Sequence, residues 1–75
     1  MQRVATMEIA TINFTDADSG DEAVVVVRTA GETTGLALSL KRNGDLEVFL
    51  GRPELGELID ALQKARDALS DAGPA

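Results

Sequence analysis

Leu36-Ala37-Leu38-Ser39-Leu40-Lys41-Arg42-Asn43-Gly44-Asp45-Leu46-Glu47-Val48-Phe49-Leu50 is the stretch that decides the fold. Leucine or valine alternates with small or polar residues on either side of an Asn-Gly pair. Period-two alternation around such a dipeptide is the pattern of a β-hairpin. A two-residue loop at Asn43-Gly44 would set Leu40 opposite Glu47 and place a carboxylate among leucines. A three-residue loop, Arg42-Asn43-Gly44, instead pairs Leu40 with Leu46, Leu38 with Val48 and Leu36 with Leu50. That register makes one continuous apolar face, so the expected turn is type I with Gly44 in the left-handed position.

Upstream of the hairpin, 30–35 (AGETTG) reads as a connecting turn, and the four consecutive valines at 24–27 read as a strand. β-branched runs favour extended backbone, and an unbroken run implies apolar surroundings on both faces. The segment 4–15 also reads as extended. Met7 and Ile9 alternate in one phase and Ile12 and Phe14 in the other, which calls for a bulge near Ala10-Thr11 or for burial on both faces. Between these strands, 16–22 (DADSGDE) is a polar turn cluster.

Downstream, the chain turns helical. Pro53 suits a first helical turn, where its missing N–H costs nothing. Leu55, Leu58, Ile59, Leu62, Ala65 and Leu69 recur as one stripe, with Glu54 and Glu57 near the positive end. Gly73-Pro74 stops the helix. The expected fold is α+β, a four-stranded, mainly antiparallel sheet followed by one C-terminal helix packed on one face (ββββα). It forms a single domain over 1–72 with a short tail at 73–75.

Composition narrows the chemistry. Among 75 residues there is no His, Cys, Trp or Tyr. Disulfides and a structural zinc site are ruled out, and a domain this small needs some staple, which leaves association. The serines and threonines lack an imidazole partner, and so short a chain hardly encloses a cleft between two carboxylates. The reading is therefore non-enzymatic, with no cofactor and no resident metal. The 16–22 cluster resembles a calcium loop only superficially. Glycine falls at its fifth position and Val27 at its twelfth, which leaves a solvated turn with at most weak divalent-cation binding.

The net charge of −6 arises from 13 acidic and 7 basic residues. It favours solubility and disfavours nucleic acid as a default partner. No apolar run approaches the ~20 residues of a membrane span, and the absence of Cys fits a reducing compartment. A soluble, cytoplasmic protein follows as the expectation.

One helix covers one sheet face. With the leucine side against the helix, the other side presents Ala37, Ser39, Phe49 and one pair of valines. The apolar residues of that surface call for a cover. Burying a Phe and two Val at about 1.5–3 kcal/mol each rivals the whole stability of a small domain. Val24, Val26, Ala37 and Phe49, with Ala61 and Ala68 widening the helix stripe, form the expected homodimer interface. Phe49→Ser is expected to weaken it. The functional class is a small dimeric interaction or regulatory module, including an acidic inhibitor or immunity-type protein with its own protein partner. The alternative is a single-stranded nucleic-acid binder using Lys41, Arg42, Phe49 and Arg52. Some single-strand-binding coactivator-like modules share that general layout, a likeness of architecture alone.

Overall fold

The strand alternation and the helical stripe become five elements. They are β1 (Thr6–Thr15), β2 (Glu22–Ala30), β3 (Thr33–Leu40), β4 (Gly44–Leu50) and α1 (Arg52–Ala72). The computed structural model describes residues 6–72, with side chains through Leu69. Expectations for residues 1–5 and for the tail at 73–75 lie outside the described residues. The strands form one antiparallel sheet in the order β1-β2-β3-β4, with α1 packed on it, as the pattern predicts.

Three local expectations are corrected. The β3–β4 hairpin is displaced by two residues. Leu38 pairs with Leu46, Leu36 with Val48, and Leu40 with Gly44. Leu40 O accepts a hydrogen bond from Asn43 N at 3.2 Å, and Gly44 takes the left-handed conformation at φ 85°. A slip of two preserves which side chains share a face, so alternation alone cannot distinguish the two registers. Contacts within the hairpin and one from beyond it favour the observed register. Asp21 Oδ2 accepts the Arg42 backbone N–H at 2.9 Å, Ser39 Oγ donates to Asp45 Oδ1, and Gly35 comes to lie opposite Phe49.

The second correction shortens the β2–β3 connection to Gly31-Glu32, because Thr33, Thr34 and Gly35 belong to β3. The Thr33 hydroxyl donates to Ala30 O at 2.8 Å and closes this turn. The third locates the β1 irregularity between Glu8 and Ala10, slightly earlier than expected. The extra residue, Ile9, brings the two phases of β1 together. Met7 pairs with Thr29, Ile12 with Val25, and Phe14 with Ala23, all on one side of the sheet.

The two sheet faces are therefore sharply unlike. The first carries Met7, Ile12 and Phe14 from β1, Ala23, Val25 and Val27 from β2, and the leucines of β3 and β4, with no charged residue. The second carries Glu8, Thr11, Asn13, Arg28, Ser39, Asp45 and Glu47 among Val24, Val26, Ala37 and Phe49.

Pro53 sits in the first turn of α1, and Gly51 O accepts from Leu55 N at 2.9 Å. The helix begins one residue after β4 and meets the sheet only along β3 and β4. The consequence for packing is large. Among the described residues only Ala23, at 5% exposure, and Gly35 are buried. The Cα radius of gyration is 14.8 Å, against about 11 Å for a compact chain of this length. The molecule extends 54 Å along its long axis and is 16 Å thin.

Candidate functional site

On the first face, the start of α1 rests against the Leu50 end of the sheet. Leu55, Leu58, Ile59 and Leu62 face Ile9, Val27, Leu36 and Leu50 across a cleft of about 380 Å³ with almost wholly apolar walls. The cleft remains because the helix leans on β3 and β4 and stands clear of β1 and β2. Beyond it the apolar surface is bare. Met7, Ile12 and Phe14 on β1, Leu38 on β3, and Leu46 on β4 are exposed, as are Ile59, Leu62 and Leu69 on the helix. Leu46 is 62% exposed and Leu69 74% exposed. Contiguous apolar area of this extent is uncommon on the surface of a lone soluble chain.

The second face holds the expected interface residues. Val24, Val26 and Ala37 are half-buried there, and Phe49 is 55% exposed. Val24 and Val26 are thus the outward valines, while Val25 and Val27 face the leucine side. Ala61 and Ala68 lie exposed on the helix, seven residues apart, and so on one flank. The sheet patch is interrupted by polar groups. Val24 pairs with Asn13 and Ser39, and Val26 with Thr11 and Ala37.

Phe49 and Arg28 both fold over Gly35. A Cβ at Gly35 would meet Phe49 Cε2 at 2.9 Å, Glu47 Oε2 at 3.0 Å and Arg28 Cγ at 3.1 Å. Glycine in mid-strand here is a seat for neighbouring side chains. Arg28 Nε lies 3.3 Å from Glu47 Oε2 but is sealed from solvent with no aligned hydrogen-bond partner, so the pair attracts by proximity alone. Glu47 faces away from α1, so its cationic neighbour is Arg28 and not a residue of the helix.

The residues of the nucleic-acid alternative do not converge. Lys41 and Arg42 occupy the β3–β4 tip, and Arg52 starts α1 at the opposite end. Each lies near an acid. Lys41 Nζ is 3.1 Å from Glu22 Oε2, Arg42 Nε is 3.9 Å from Asp21 Oδ1, and Arg52 Nη2 is 3.3 Å from Glu32 Oε1. The Lys41 and Arg52 pairs are exposed and energetically slight, but they offset positive potential where a phosphate would need it.

Within 16–22, the carboxylates serve the turn. Asp16 Oδ2 accepts from Ser19 N at 2.8 Å and Ser19 Oγ at 2.7 Å, and these bonds hold the Asp16 carboxyl below its ordinary pKa. Asp21 binds the Arg42 backbone, and Glu22 O accepts from Lys41 N at 3.0 Å. This clasp between the two hairpin ends was missed in sequence, because nothing local to 16–22 indicates which strand tip lies beside it. The mid-strand Gly35 was the available signal for the Phe49 seat.

Comparison with protein-family models, with curated proteins and with solved structures finds no match to this chain.

Proposed function

We propose that this chain is a non-catalytic interaction module that works as a homodimer, in a reducing, cytoplasmic setting consistent with its lack of cysteine. One observation carries the reading. Among the described residues, a complete sheet and helix bury only Ala23 of their apolar side chains and leave a leucine face without charge open. Hydrophobic burial supplies most of the free energy that offsets chain entropy. A lone copy with so little interior lacks that offset, and a second copy restores it.

The non-catalytic part rests on chemistry. No imidazole or thiol is available in the sequence, and the hydroxyls have no base to activate them. The acidic outer surface then remains free to meet a basic protein, which keeps an inhibitor or immunity-type role within the class. Size-exclusion chromatography with light scattering tests the dimer. A particle of twice 7.9 kDa at micromolar concentration is expected, and a well-folded monomer across that range overturns the reading. Fluorescence anisotropy with labelled single-stranded DNA separates the alternative. Binding that falls steeply with salt favours it, and no binding even at low salt removes it.

A further inference from the structure

The helix is narrower than the sheet that receives it. Twenty-one residues span about 31 Å at 1.5 Å each. Four strands at about 4.8 Å spacing make a sheet roughly 19 Å wide, and helices pack side by side 8–10 Å apart. A sheet of that width takes two helices on one face, and this chain supplies one.

Its own α1 occupies the β3–β4 side. The β1–β2 side is left with Met7, Ile12 and Phe14 uncovered, while α1 carries Leu62, at the rim of its own cleft, and Leu69 beyond it, both largely exposed. Surplus and deficit have the same chemistry and occur in one polypeptide. A two-fold axis satisfies both at once, since what one subunit offers the other accepts.

We propose that in the homodimer each α1 lays its C-terminal half across the β1–β2 half of the partner subunit's first face, with Leu62 and Leu69 over Ile12 and Phe14 of the partner subunit. The inference rests on the homodimer reading above and specifies its geometry. Area supports a second copy as the occupant. The chain exposes 6269 Å², on the order of 1,900 Å² more than a compact monomer of this mass. A standard interface takes about 800 Å² per partner and obligate dimers take more, so the surplus is of the size that dimerisation removes. Charge supports it too. Among the described residues the sheet face has no charged residue, so the strand surface itself adds no like-charge repulsion against a second copy despite the chain's net −6.

The chain's lack of cysteine gives a clean test. Leu69→Cys and Ile12→Cys chains are prepared separately, mixed, and treated with a short bismaleimide, so that only links between subunits join 69 to 12. The expected result is a linked dimer on a denaturing gel, at least about ten-fold more abundant than in a mixture of Leu69→Cys with Phe49→Cys chains. Leu62→Glu is expected to weaken association at least about thirty-fold, as loss of a central contact does. Phe49→Ser leaves it within about three-fold.

A folded monomer by light scattering overturns both the dimer and its geometry. A dimer in which 69 and 12 fail to link overturns the helix exchange alone, whichever substitution dissociates it. Should Leu62→Glu fail to fold, the mixed-chain link still decides the outcome.

Discussion

Adjacent residues of β3 report on two different environments. Leu38 points to a face without a charge, and Ser39 points to one where Asp45, Glu47 and Arg28 alternate with Val24, Val26 and Phe49. The second face is nearer completion within one chain: Ser39 donates to Asp45, Thr11 donates to Glu8, and Gly35 seats the Phe49 ring, which stays 55% exposed. The first face is unfinished. Its side chains have no polar role to fall back on, and the helix that should cover them reaches only half. One sheet thus separates a mixed polar surface from an apolar one without charge, and the division follows from a period of two in the sequence.

The sharpest way to break the contrast is to place the same charge on each side. Leu38→Lys puts an ammonium into the leucine face and is expected to cost at least about 2 kcal/mol of assembly. It should appear as dissociation in light scattering and a lowered midpoint in urea. Ser39→Lys, one residue away, is expected to stay within about 1 kcal/mol and to leave the dimer intact. Equal effects from the two would erase the distinction between faces.

A second experiment addresses the mixed polar side. Gly35→Ala forces a Cβ into contacts of 2.9–3.1 Å with Phe49, Glu47 and Arg28 and is expected to cost about 1–3 kcal/mol, as overpacking does. Combining it with Phe49→Ala should recover part of the loss. Strict additivity in chemical denaturation would show that the ring is not seated there.

The ion pair on the same face is worth less. Arg28 and Glu47 are each about one-third exposed and poorly aligned, so Glu47→Gln is expected to cost no more than roughly 0.5–1 kcal/mol. The difference from the parent should shrink in high salt, and a salt-independent loss would point to packing instead.

The smallest effect concerns Asp16. Its carboxyl titrates lower in the folded chain than in the unfolded chain. Its contribution is therefore present above the unfolded-state value and is lost as pH falls through the folded value. Ser19→Ala is expected to move the Asp16 carboxyl back toward its ordinary pKa in an NMR titration and to leave stability near neutral pH almost unchanged. An unaltered titration would mean that Ser19 is not the cause.

The order and type of all five elements were legible because each has a strong periodic signal, from alternation about Asn43-Gly44 to the leucine stripe after Pro53. The hairpin register was not legible, since a slip of two leaves every side chain on its face and the long-range contact at Arg42 comes from Asp21, 21 residues earlier. The pairing of Lys41, Arg42 and Arg52 with acids escaped notice for the same reason. That one helix leaves apolar sheet surface exposed was readable from counting faces. How much of the leucine face stays bare was not, because a stripe of leucines records that a helix has something to bury and not how far along the sheet it lies.

Strand β4 passes into α1 through Gly51 alone. So brief a junction concentrates the rod's heading in a few backbone torsions. A Cβ at position 51 would meet Glu54 Oε1 at 2.9 Å, so a change at this one swivel bears on the rod's direction and leaves the strand pairings alone.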